Sequence, residues 1–200
     1  MPRWPWVVLA LALAGWWLAS GEPAVEHGPG VLVPEAPLQG PVEGSPPQRI
    51  GEFQVEALHG FTVRGRVLGR EDYRFGTEAE LSPMDLALGW GRMSDSAVLG
   101  RLSISQGGRF YHYRWGSDGP PIPAAEIVRS SANMHMIPLD PGVASALDRI
   151  REGQVVRVEG WLVRVARADG WRWVSSTRRD DSGAGACELV LVSSVYIEQG

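Results

Sequence analysis

The chain has 200 residues and not one lysine, an absence that coding bias explains more simply than function does. It has a single cysteine, so no internal disulfide can form. Stability must then come from burial and not from covalent staples. There is no basic excess either. From residue 49 onward 18 arginines face 19 Asp plus Glu, a net charge of −1, which argues against a nucleic-acid partner. No two His or Cys stand at zinc-site spacing, and "DDSGAG" (180–185) lacks the Asp/Asn rhythm of a calcium loop. No metal and no cofactor are expected.

Charge is missing altogether from residues 4–21, "WPWVVLALALAGWWLASG", which Arg3 precedes. A basic start, an apolar core and small residues at "ASG" form a secretory signal pattern. Eighteen helical residues would also span about 27 Å, close to the bilayer core, so the segment reads as a signal peptide or a retained inner-membrane anchor. Residues 22–48 are rich in Pro and Gly and carry four Glu but no Arg. That composition predicts a flexible, partly extended linker. Residues 49–200 remain as one domain of ordinary size.

Within that domain, period-two patterns dominate. Phe53, Val55 and Ala57 alternate with polar neighbours, as do Phe61, Val63 and Val67, and His59-Gly60 between them reads as a tight turn. "SPMDLALG" (82–89) reads as a short helix with Pro83 at its first position. In "RLSISQGGRFYHYRW" (101–115), Gly107-Gly108 predicts a two-residue hairpin turn pairing Ile104 with Tyr111 and Leu102 with Tyr113. Asp140 and Pro141 open a helix over 141–151 with a stripe of Val143, Leu147 and Ile150. In "VVRVEGWLVRVARADGWRWV" the apolar phase changes after Gly160, which suggests a bend, and Asp169-Gly170 predicts a tight turn. The expected fold is mainly β, all-β or α+β, a small barrel of the OB or SH3-like kind with short helices.

"DLALGWGRMSD" (85–95), "SANMHMIP" (131–138) and "GWRWVSSTRRDDSGAGACELV" (170–190) carry a likeness. On these stretches the chain resembles a group of exported or membrane-tethered proteobacterial proteins of no established activity. The resemblance implies a place on the periplasmic side of the inner membrane, anchored or released. It carries over no catalytic residue.

Several residues are candidates by type. Cys187, His135 and Asn133 match the nucleophile, base and orienting amide of acyl transfer, and Asp180 or Asp181 offers a carboxylate alternative. Against catalysis, Cys187 is in phase with Leu189 and Leu191, as a buried thiol would be. Met134 and Met136 alternate with Asn133 and His135, which sets a methionine core face against a polar wall. The Asp169-Gly170 turn would place Trp173 opposite Ala166 and Trp171 opposite Ala168, outside the barrel with Arg164 nearby, as an aromatic platform or under a covering helix. The expected function is a non-enzymatic envelope module that binds a partner protein or a wall glycan; the alternative is a hydrolase built on His135.

Overall fold

The computed structural model describes residues 23–178, 180, 183 and 185–198. The apolar leader and Asp181 lie outside the described residues. Among the described residues no helix is long and apolar enough to cross a membrane. The chain is mainly β.

Five strands close a ring. β3 (Phe53–Asp72) pairs antiparallel with β4 (Met84–Gly89), and β4 pairs antiparallel with β7 (Ser131–Pro138). β7 runs parallel to β10 (Glu188–Ile197), which pairs antiparallel with β8 (Val155–Ala166). β8 returns to β3 in a register from Gln54 opposite Ala166 to Arg66 opposite Val155. β3 closes the ring because its 20 residues serve two partners in turn: the first part lies on β8, and the part from Arg66 lies on β4.

The expected turn at His59-Gly60 does not form, and the strand runs through it. A bulge between Ala57 and His59 takes its place. The extra residue reverses which side the following side chains face. Phe53 and Val55 therefore pack on the outside of the sheet, while Phe61, Val63 and Val67 fill the ring. The segment expected as a helix over 82–89 is strand β4. Its partners β3 and β7 supply ladders on both edges, and this outweighs the local Ser-Pro start signal. The short helix α1 (Thr77–Leu81) ends just before it.

Met84, Leu86, Leu88, Met134 and Met136 point into the ring, and Val143, Leu147 and Ile150 cover one end. The last three belong to or follow the helix α4 (Pro141–Leu147), where Asp140 accepts a hydrogen bond from Val143 N–H at 2.9 Å. Two further apolar clusters lie outside the ring. One gathers Val163, Val165, Leu189 and Leu191 under Trp161, Trp171 and Trp173. The other gathers Ala87, Met93, Ile122 and Ile127 under the hairpin of β5 (Leu102–Gly107) and β6 (Phe110–Trp115).

The outer clusters correct two expectations. The apolar phase change at Gly160 is not a change of inner face: Val156, Val158 and Leu162 all point inward. The alternate residues Trp161, Val163 and Val165 are apolar because the outside is covered there. Cys187 is in phase with Leu189 and Leu191, but that series faces the outer cluster, and the thiol is half-buried and not in the ring. A bulge at Val192–Ser194 then returns Val195 to the inner side, where it packs with Ile197.

The Pro-rich segment does not hang free where it is described. Val25 N–H donates to Glu152 O at 2.8 Å, Gly91 N–H donates to Val33 O at 2.7 Å, and Val33 is wholly buried in the ring's core. Strand β1 (Leu38–Gly40) pairs with β3. An apolar residue set between prolines finds a site on the domain, which composition alone cannot reveal.

Candidate functional site

With Met84, Leu86 and Leu88 turned inward, Asp85 and Ala87 of β4 must face outward. The antiparallel register sets Asp85 opposite His135 of β7. Directly opposed residues have adjacent side chains. His135 Nδ1 lies 2.8 Å from Asp85 Oδ1, and the Asp85 side chain is fully buried.

A buried carboxylate needs a cation and hydrogen bonds. The cation comes from the β5–β6 hairpin. Its register, Gly107 opposite Phe110 and Ile104 opposite Tyr113, makes Gly108-Arg109 the two-residue turn, one position later than expected. Both turn residues have positive φ, 59° and 71°, the pattern of a type I′ turn. Arg109 is the sole non-glycine with positive φ among the described residues. That conformation is uncommon for a bulky residue and marks a site where the surroundings impose it.

The imposed geometry aims Arg109 at Asp85. Nη1 donates to Asp85 Oδ1 at 2.7 Å, and Nη2 donates to Ser82 O at 2.9 Å. The guanidinium lies 3.7 Å from the centre of the Tyr73 ring and 5.4 Å from that of Trp173. Tyr73 OH accepts from the Arg109 backbone N–H at 3.0 Å. Burial, with Asp85 adding, pushes the Tyr73 phenol up to about 12, so it stays protonated at neutral pH. Asn133 Nδ2 donates to Asp85 Oδ2 and to Arg109 O, both at 3.1 Å, and Asn133 Oδ1 accepts from Gln106 Nε2 at 2.8 Å.

The network fixes the histidine tautomer. A carboxylate that binds arginine is an acceptor only, so His135 Nδ1 carries the hydrogen. Nε2 then bears the lone pair of the neutral ring. It has no hydrogen-bond partner among the described residues. Trp173 covers the ring, with centroids 4.6 Å apart.

No protein-family model matches the chain, and no curated protein and no solved structure shows significant similarity to it.

The structure brings together only part of the sequence-derived set. His135 and Asn133 join the cluster. Cys187 touches it through a 3.7 Å contact from Sγ to Arg109 O. Parallel pairing aligns Leu189 with His135, so Cys187 lies two residues earlier, just before β10, and the hydrogen bond of His135 goes to Asp85. Asp180 is exposed and paired with Arg178 at 3.1 Å; Arg178 lowers its carboxyl below the ordinary range. Trp171 packs edge-on against Trp173 at 6.0 Å and against Phe53 at 5.5 Å.

The tryptophan hairpin is one residue out of the expected register. Trp173 lies opposite Val165 and Arg172 opposite Ala166 in β9 (Arg172–Val174). Arg167 N–H bonds to Trp171 O, and Gly170 has φ of 94°, so the loop is a three-residue type closed by a left-handed glycine. A one-residue shift changes faces. Arg164 therefore points to the opposite side from the tryptophans, where it pairs with Glu56 at 2.8 Å. The indoles are half-buried and lie outside the ring over its second cluster and His135.

Sequence reasoning missed Asp85, Arg109, Gln106 and Tyr73. For Asp85 a signal was present: Met84, Leu86 and Leu88 alternate with it at period two. Beside Asn133 lies a cavity of about 120 Å³, lined by Phe110, Tyr111 and Tyr113 and also by Ala132, Cys187 and Arg178. Among the described residues no three His, Cys, Asp or Glu side chains gather as a metal site would need.

Proposed function

We propose that the chain is a non-enzymatic module of the bacterial envelope, tethered or secreted, that binds a partner protein or wall component. The observation that carries this reading is the aromatic-walled cavity beside a hairpin fixed by Arg109. Apolar concavities with a few polar groups at the base are the usual form of a binding site. The envelope assignment rests on the leader pattern and on the resemblance of the three quoted stretches. We read the ring as a small barrel of the OB type. Its order β3-β4-β7-β10-β8, the parallel β7–β10 pair and the helix α4 between β7 and β8 support that reading. Fold alone assigns no ligand.

A hydrolase built on His135 with Cys187 or an aspartate fits less well. The base is covered by Trp173, and its Nε2 meets no hydroxyl or thiol among the described residues.

The test is retention of envelope material. Immobilised wild-type chain should retain a component of detergent-solubilised envelope or of purified cell-wall sacculi, and Tyr113→Ala should release it. Folding of the variant is checked by its unfolding midpoint. Equal retention by wild type, Tyr113→Ala and a blank support would overturn the proposal.

A further inference from the structure

The β5–β6 hairpin forms its own two-stranded sheet, so β6 has one edge without a strand. Gly107 and Phe110 flank the two-residue turn and form a hydrogen-bonded pair. Bonded and non-bonded pairs alternate from there. Phe110, His112 and Arg114 therefore turn their backbone groups toward β5. Tyr111, Tyr113 and Trp115 turn theirs outward, and those N–H and C=O groups find no partner among the described residues. We propose that this edge is a strand-addition site for an extended peptide of a partner protein in which acidic and apolar residues alternate. The proposal rests on the binding-module reading and specifies its partner.

Four features support the assignment. First, proteins usually blunt an exposed edge with proline, lysine or a bulge. The sequence FYHYRW has no proline, and its register is regular from Leu102 opposite Trp115 to Gly107 opposite Phe110. Second, the edge is rigid before any partner arrives. Its tip is held by Arg109 on Asp85, and Tyr111 and Tyr113 pack against the cluster beneath. A preorganised edge loses little entropy on binding.

Third, the two faces of an added strand would meet different chemistry. One face would enter the cavity beside Tyr111 and Tyr113, whose aromatic rings and Val128 favour apolar side chains. The other would lie beside His112 and Arg114. Arg114 is exposed and makes no ion pair among the described residues. Arg129, next to the cavity-lining Val128 at the end of helix α3 (Ala124–Arg129), makes none either. Opposite charges across a strand pair are favourable, so acidic residues belong on that face. Fourth, the aromatic row continues beyond the cavity. Tyr113 and Trp115 stack at 6.2 Å, and Trp115 stays exposed to receive a further side chain. Added strands of this kind gain affinity from main-chain bonds and specificity from alternate side chains.

The test uses the full chain and a capped peptide of alternating Val and Glu. Binding should be saturable. Amide exchange at Tyr111, Tyr113 and Trp115 should slow on saturation, while that at His112 and Arg114, already bonded to β5, should change little. N-methylating alternate peptide residues should abolish binding. Arg114→Glu, an exposed change, should weaken it by about fivefold, as one cross-strand charge pair would.

Unchanged exchange at the three amides under saturating peptide would overturn the assignment, as would equal binding of the N-methylated peptide. Protection of the same amides in free protein, together with a dimer in sedimentation, would show a second copy on the edge and also overturn it. If envelope material is retained but the peptide leaves β6 untouched, strand addition falls and the binding module stands. If neither binds, both fall.

Discussion

Replacing Arg109 by methionine tests whether the polar cluster is a coupled unit. Methionine keeps the apolar stem and the same left-handed backbone cost, so the guanidinium is the principal loss. Asp85 is fully buried and receives Arg109 at 2.7 Å, His135 at 2.8 Å and Asn133 at 3.1 Å. Without Arg109 the carboxylate keeps His135 and Asn133 and loses its arginine. Breaking a buried pair from one side costs about 3–5 kcal/mol. A domain holds roughly 5–15 kcal/mol in all, so the variant should sit near its folding limit. Asp85→Asn removes the charge but leaves an oxygen for His135 Nδ1. Alone it leaves the guanidinium, 13% exposed, with Glu78 at 3.7 Å as its remaining carboxylate among the described residues, so it should also destabilise. Together, Asp85→Asn and Arg109→Met remove both members of the pair, and the double variant should be more stable than Arg109→Met alone. Urea unfolding of all four proteins gives the coupling directly. A loss below about 1 kcal/mol for Arg109→Met, or a double variant that merely sums the two losses, would refute the reasoning.

Two further outcomes follow from other parts of the chain. A Cβ on Gly160 would stand 1.9 Å from Leu191 O, so Gly160→Ala must spread β8 from β10; about 3 kcal/mol of destabilisation is expected, and an unchanged thermal midpoint would count against the close approach. The N–H groups of Gly30 and Ala97, at 2.9 and 2.8 Å, hold the Asp95 carboxyl below its ordinary range. Its folded value is depressed, so the stabilisation is complete above the unfolded aspartate range and is lost as pH falls through the folded value. The Gly30 amide resonance should shift with Asp95 protonation on acidification, and an amide indifferent to pH there would dismiss the contact.

Local signals were readable in the sequence and distant ones were not. The Asp140-Pro141 start and the Val143, Leu147, Ile150 stripe name a helix because capping and periodicity are properties of neighbours. The Met134/His135 alternation names a strand for the same reason. The bulge after Ala57 is invisible because it depends on where β8 pairs, and two same-parity apolar runs therefore looked like two strands joined by a turn. Strand β4 carries a local helix signal and becomes a strand because its two ladders come from elsewhere in the chain. Of the central cluster, His135 and Asn133 stood out by type. Asp85 did not, since its partners lie 24 and 50 residues away. The docking of Val33 follows from a cavity that only the folded ring provides.

The two-sided covering of the ring bears on how strands find their partners. Hydrophobic alternation normally forbids a one-residue slip, because a slip would turn the buried set toward water. β7, β8 and β10 carry apolar residues on both sides, so for them alternation is a weak guide. The choice falls to a few residues that tolerate no substitute neighbour. Asp85 must meet His135, or a bare carboxylate is buried; Gly160 must sit opposite Val192, or a side chain collides with the Leu191 carbonyl. These residues act as alignment marks on strands otherwise free to slide. Since β3 and β8 meet across most of the domain's length, the marks are read late, in a search governed by long loop closures. Folding speed and fidelity should therefore depend on a handful of polar and glycine positions more than on the size of the apolar core.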